Sequence, residues 1–106
     1  MNDWKLALTR IEELIKETET NLDLAARAGI YAAARVILND LSEHIVEELS
    51  GPNHYAGEKI GGIKWHIGAA LGFDVDNGHS ASQHRAWAYG DLNSLKATLE
   101  RTLTAR

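Results

Sequence analysis

Five histidines carry most of the chemistry open to this chain, and four of them fall in its second half. His66 stands beside Trp65 in a glycine-rich stretch. Buried near carboxylates, an imidazole there would serve as a general base. His79 and His84 are five residues apart. Chelation from one helix face wants a spacing of four, so a shared metal requires His79 to lie before the helix that carries His84. Asp74 or Asp76 could then complete the set, and zinc or another transition ion accepts such donors. The spacing is equally that of polar surface histidines, and no metal site is assigned. The run Asp74-Val75-Asp76-Asn77-Gly78 fails as an EF-hand loop. That loop needs glycine at its sixth position and glutamate at its twelfth; here glycine is fifth and Arg85 is twelfth. His44 with Glu47 and Glu48 makes a local ion-pair set at helical steps.

The last cluster is His84, Arg85, Trp87 and Tyr89. Arg85 and Tyr89 share one helix face, and His84 and Trp87 share another. Aromatic residues and arginine are enriched at interface hot spots. Extended by Tyr55 or His54, these residues form the expected interaction surface: Arg85, Tyr89, Trp87, His84 and Tyr55. No G-x-S-x-G or phosphate-binding loop occurs, and Ser80 and Ser82 are explained as helix caps. No catalytic residue and no cofactor are therefore assigned.

The stretch Gly51–Phe73 must position the first of these groups, and glycine makes it unusual. As a helix, Ile60, Ile63, Ile67 and Leu71 form one stripe, with Gly61, Trp65, Gly68 and Gly72 beside it. As a hairpin over 58–67, Gly61-Gly62 is the turn, and Ile63, Trp65 and Ile67 alternate with Lys64 and His66. Interior glycines cost a helix about 1 kcal/mol each relative to alanine. The hairpin would set Lys59 against Lys64 and has no partner strand. The helix is the favoured reading. Its glycines then serve close packing against another backbone. The sharper reading makes them room for a ligand, with His66, Trp65, Gly61 and Gly68 as its contacts.

Three further helices are expected. Trp4, Leu8, Ile11 and Ile15 step by four, three and four, with Glu12, Glu13, Lys16 and Glu17 opposite. The periodicity runs on past Thr20, but one helix from Asp3 to Leu49 would be about 70 Å long. A compact chain of this size has a radius of gyration of only about 13 Å. A turn near Thr20 is predicted, with Thr20 as cap and Asp23 in the first turn. The second helix then spans about Asn21–Leu49, its small face Ala25, Gly29 and Ala32 packing on the glycine helix. Ser50-Gly51-Pro52 ends it. The third helix spans about Ala56–Leu71. Ser80 and Gln83 make a capping box for a fourth, which runs to about Thr104 with His84, Trp87, Asp91 or Leu92, Leu95, Leu99 and Leu103 as its inner stripe.

The 106 residues predict a single helical domain, 1–106, all-α, an antiparallel bundle of about four helices. The absence of cysteine excludes disulfides, thiolate zinc sites and cysteine nucleophiles, and suits a reducing cytoplasm. Met1-Asn2-Asp3-Trp4-Lys5 shows no basic region before an apolar core, which argues against a signal peptide. No apolar run is long enough for a membrane span. The net charge of −4 is uneven: residues 1–50 carry −5 and residues 51–106 carry +1. No basic stripe offers itself to nucleic acid. The expectation is a small non-enzymatic protein-binding module, a regulator or inhibitor of another protein, with a homodimer as a further expectation. The competing expectation is a histidine-dependent metal- or ligand-binding enzyme with its site near the glycine helix.

Overall fold

A computed structural model describes residues 3–49, 54–74 and 77–103. It contains four helices: α1 Trp4–Glu17, α2 Leu24–Leu49, α3 His54–Leu71 and α4 Ala81–Leu103. The expected Ser50-Gly51-Pro52 stop, and Val75 and Asp76 of the loop, lie outside the described residues, as do the side chains of Ile45, Glu47, Glu48, Leu49 and His54.

Each helix is built on an apolar stripe. In α1, Trp4, Leu8, Ile11 and Ile15 are buried, widened by Ala7 and Leu14. In α2 the buried stripe is Ile30, Ala34, Leu38 and Leu41. In α3 it is Ala56, Ile60, Ile63, Ile67 and Leu71, and in α4 it is His84, Ala88, Leu92, Leu95 and Leu99. These stripes meet in one core. Neighbours in sequence pack side by side and α4 closes against α1, with the most extensive contact between α3 and α4. Cross-helix pairs run in opposite numerical order in α3–α4 (Lys59 with Asp91, His66 with His84) and in α2–α3 (Arg27 with Leu71, Lys64 with Asn39). Both helix pairs are therefore antiparallel. The radius of gyration is 13.6 Å.

The turn between α1 and α2 falls where the size argument requires it. Thr18 Oγ1 donates to the Ile15 carbonyl at 2.6 Å and Thr20 Oγ1 to the Glu17 carbonyl at 2.9 Å. The Thr18 and Thr20 N–H groups donate to the same two carbonyls at 3.1 and 3.2 Å, so the last turn tightens to i→i+3 bonds that the hydroxyls reinforce. The cap of α2 is Asp23, not Thr20: its Oδ1 accepts from the Ala26 N–H at 2.8 Å.

Residues 58–67 form no hairpin, since α3 is helical throughout. Its glycines do not bring α2 backbone close, either. The small face expected to receive them, Ala25, Gly29 and Ala32, is exposed, because α2 turns its larger stripe inward. At Gly62 and Gly68 the missing side chain makes room for a carboxylate. A Cβ would collide with Asp91 at the first position and with Asp74 and Tyr31 at the second. The end of α3 is a Schellman turn. Gly72 adopts φ +86°, its N–H donates to the Ala69 carbonyl at 3.1 Å, and the Phe73 N–H donates to the Gly68 carbonyl at 2.9 Å. Phe73 then packs on Tyr31, with ring centroids 5.0 Å apart.

Candidate functional site

Ser80 fixes the start of α4. Its Oγ accepts from the Gln83 N–H at 3.1 Å and its carbonyl from the His84 N–H at 3.0 Å. That places His84 on the inward stripe one turn before Ala88, a position that the rest of the stripe fills with aliphatic side chains. His84 is fully buried. Opposite it, α3 carries a second stripe of Lys59, Gly62 and His66, offset from its isoleucines by one residue. The antiparallel packing brings this stripe against His84, Trp87 and Asp91 of α4.

The result is a cluster of five rings. His66 Nδ1 and His84 Nδ1 are 3.0 Å apart, a hydrogen-bond distance. Trp65 lies against both imidazoles, with centroids at 4.8 and 5.3 Å. Trp87 lies against both at 5.4 and 5.6 Å. His79, from the loop, stands edge-on to Trp87 at 4.7 Å and to His84 at 6.2 Å. Trp65 and Trp87 are each 36% exposed, so the indoles wall the buried His84 and the partly buried His66 and reach solvent at their outer edges.

Asp91 sits over Gly62 and accepts from Lys59 Nζ at 3.3 Å. Its other oxygen is 3.9 Å from His66 Nε2, too long for a hydrogen bond but close enough for attraction. This orders the tautomers. A carboxylate oxygen facing Nε2 favours a proton on that nitrogen, which leaves Nδ1 of His66 as an acceptor. His84 must then donate from Nδ1, and its Nε2 becomes a lone pair. That atom is buried and has no hydrogen-bond partner. An unsatisfied buried polar atom costs about 1–3 kcal/mol. The His66 pKa is held below the ordinary imidazole value, first by burial, with Asp91 pulling upward and His84 downward. His66 is therefore held in its neutral form near pH 7.

Of the residues expected to bind a ligand, His66 and Trp65 enter this cluster. Gly61 has open space where a side chain would be, and Gly68 accommodates Asp74, whose Oδ1 accepts from Tyr31 Oη at 3.4 Å. Of the expected interaction surface, His84 and Trp87 enter the cluster. Arg85 and Tyr89 turn toward α1 instead. Arg85 Nη1 donates to the Thr18 carbonyl at 3.4 Å, and Tyr89 packs half-buried against the core. Burial raises the Tyr89 pKa, helped by Glu19 and then Glu12 and opposed by Arg85. Tyr55 is exposed near the start of α3, its ring under Lys59 Nζ at 5.2 Å. Lys59 was missed in the sequence, and Asp91 was read only as an alternative to Leu92 on the α4 stripe, not as a partner of His66. The available signal was an aspartate seven residues after His84 on the face shared with Trp87.

Among the described residues, no three histidine, aspartate or glutamate side chains converge on one metal position. No helix among them is long and apolar enough to cross a membrane. No protein-family model, no curated protein and no solved structure matches this chain.

Proposed function

We propose that the chain is a small non-enzymatic protein-binding module, a regulator or inhibitor of another protein, that binds through the α3–α4 face bearing Trp65 and Trp87. One observation carries this reading: two indoles on adjacent helices keep a third of their surface in solvent while imidazoles brace them from beneath. Rigid amphipathic rings are effective contact groups because little side-chain freedom is lost when they bind. The same proposal includes a cytoplasmic location, suited to a chain without cysteine, and self-association as a homodimer. Leu6, Val36 and Ile37 line an apolar groove between α1 and α2, with Leu6 and Val36 about two-thirds exposed, which supports self-association.

The test compares wild type with Trp65→Ala and Trp87→Ala as bait at equal concentration, with circular dichroism to confirm the fold and light scattering to read the mass. A partner retained stoichiometrically by wild type, and at least tenfold less by either variant, supports the proposal. Equal retention by all three would place recognition elsewhere.

A second reading, a histidine-dependent metal- or ligand-binding enzyme beside α3, draws on the 3.0 Å imidazole pair and Asp91. The two readings separate on His66→Gln, which removes the imidazole and keeps both indoles.

A further inference from the structure

The imidazole pair has no good place for another proton. His84 donates from Nδ1 to His66 Nδ1 across 3.0 Å, so a proton added to that atom of His66 sets two N–H groups head-on. His66 Nε2 already carries its proton toward Asp91, 3.9 Å away. The remaining lone pair is on His84 Nε2, which is buried without a hydrogen-bond partner. A proton there would be an N–H with no acceptor, on a ring that solvent does not reach. The other charged and titratable groups around the pair do not relieve this. Lys59, on α3, brings positive charge and is held by Asp91 at 3.3 Å. His79, in the loop, is a further imidazole 6.2 Å from His84. Arg85, next to His84 in sequence, turns away to the Thr18 carbonyl.

Little else holds this end of α4. Its buried residues as far as Gly90 are His84 and Ala88, with Tyr89 at the margin, while Leu92, Leu95 and Leu99 anchor the rest. Local opening begins where buried apolar contact is sparse. We infer that the His66–His84 hydrogen bond is a pH-sensitive latch: at neutral pH it docks the first two turns of α4 on α3, and below about pH 6 those turns undock and carry Trp87 away from Trp65. Undocked rings reach water, where an imidazole titrates near pH 6.5. The docked form's advantage is therefore fully present above that pH. It is lost as the pH falls through the lower value that burial, opposed by Asp91, gives His66. Each proton taken up on opening shifts the docking equilibrium about tenfold per pH unit. As a switch on partner binding, the latch rests on the indole face proposed above. The opening itself does not, and it is read without a partner.

The test follows amide hydrogen exchange of the full chain from pH 7.5 to pH 5.0, expressed as protection factors. Protection of residues 85–88 should fall at least tenfold, and that of Leu95–Leu99 less than twofold. His84→Leu, which continues the aliphatic stripe, should abolish the fall. His66→Gln, whose amide oxygen can accept the His84 N–H, should about halve it on a logarithmic scale, and it carries the test should His84→Leu not fold. His44→Gln, on α2, should leave it unchanged. Wild-type protection that stays constant to pH 5.0 would overturn the latch. So would a fall shared equally by all four helices, which is global acid unfolding, or a fall that His66→Gln leaves undiminished. Equal partner retention by the tryptophan variants would remove the binding face and leave the latch standing.

Discussion

Tyr89 shows how one residue can look like a surface group in sequence and act as a buried one. Its spacing from Arg85 is that of a shared exposed face, yet both side chains turn toward α1, and burial beside Glu19 and Glu12 raises the phenol pKa. The sign of the effect on stability follows by linkage. In the unfolded chain Tyr89 ionises near pH 10; in the fold it holds its proton to higher pH. The contribution is fully present below pH 10 and is lost as pH rises through the folded value. Urea denaturation from pH 8 to pH 11 should show an alkaline loss of stability that is smaller in Tyr89→Phe than in wild type. Equal slopes in the two proteins would mean that other groups, such as the lysines, account for the loss. His84 makes the complementary point: its type suits a surface contact and its spacing the inner stripe of α4, and the stripe prevails, burying it completely.

At the scale of the helix, α3 divides its glycines between two roles. Gly62 and Gly68 each accommodate a carboxylate, while Gly61 on the solvent side meets nothing within 4 Å. Gly29 in α2 and Gly90 in α4 are likewise open and exposed. Alanine at Gly29, Gly61 or Gly90 should therefore raise stability by about 0.5–1 kcal/mol each, the helix-propensity gain with no steric cost. Gly68→Ala should lower it, because Asp74 and Tyr31 must move; chemical denaturation reads both signs. Helical periodicity made the stripes of α1, α3 and α4 legible, and the Ser80 cap was legible from its own side chain. What separates the glycines was not legible. That Gly62 faces Asp91 depends on the register of α3 against α4, and that Gly68 faces Asp74 depends on the turn after Leu71 folding back over α3; no periodicity within a helix encodes either.

Across the whole molecule, the bundle was legible because length alone forbade a continuous helix from Asp3 to Leu49, and four amphipathic stripes then had to close on one another. The pairing was less so. Small residues on α2 suggested a partner for the glycines of α3, yet α2 buries Ile30, Leu38 and Leu41 and leaves that face in water. The histidine–tryptophan cluster exists only in the assembled pair of α3 and α4, since its rings come from positions 65, 66, 79, 84 and 87 and only some are neighbours in sequence.

The seat that Gly62 provides for Asp91 has a consequence for how the chain can vary. With Asp91 in place, a methyl group at position 62 displaces the carboxylate from Lys59 and His66, and Gly62→Ala should destabilise the fold. Once Asp91 is alanine the obstacle is gone, and the same substitution should stabilise by about 1 kcal/mol through helix propensity. A double-mutant cycle of Gly62→Ala and Asp91→Ala, read by urea denaturation, should therefore reverse sign between backgrounds, where independent sites would simply add. Evolutionary paths across this helix pair are then ordered: position 91 must change before position 62 can.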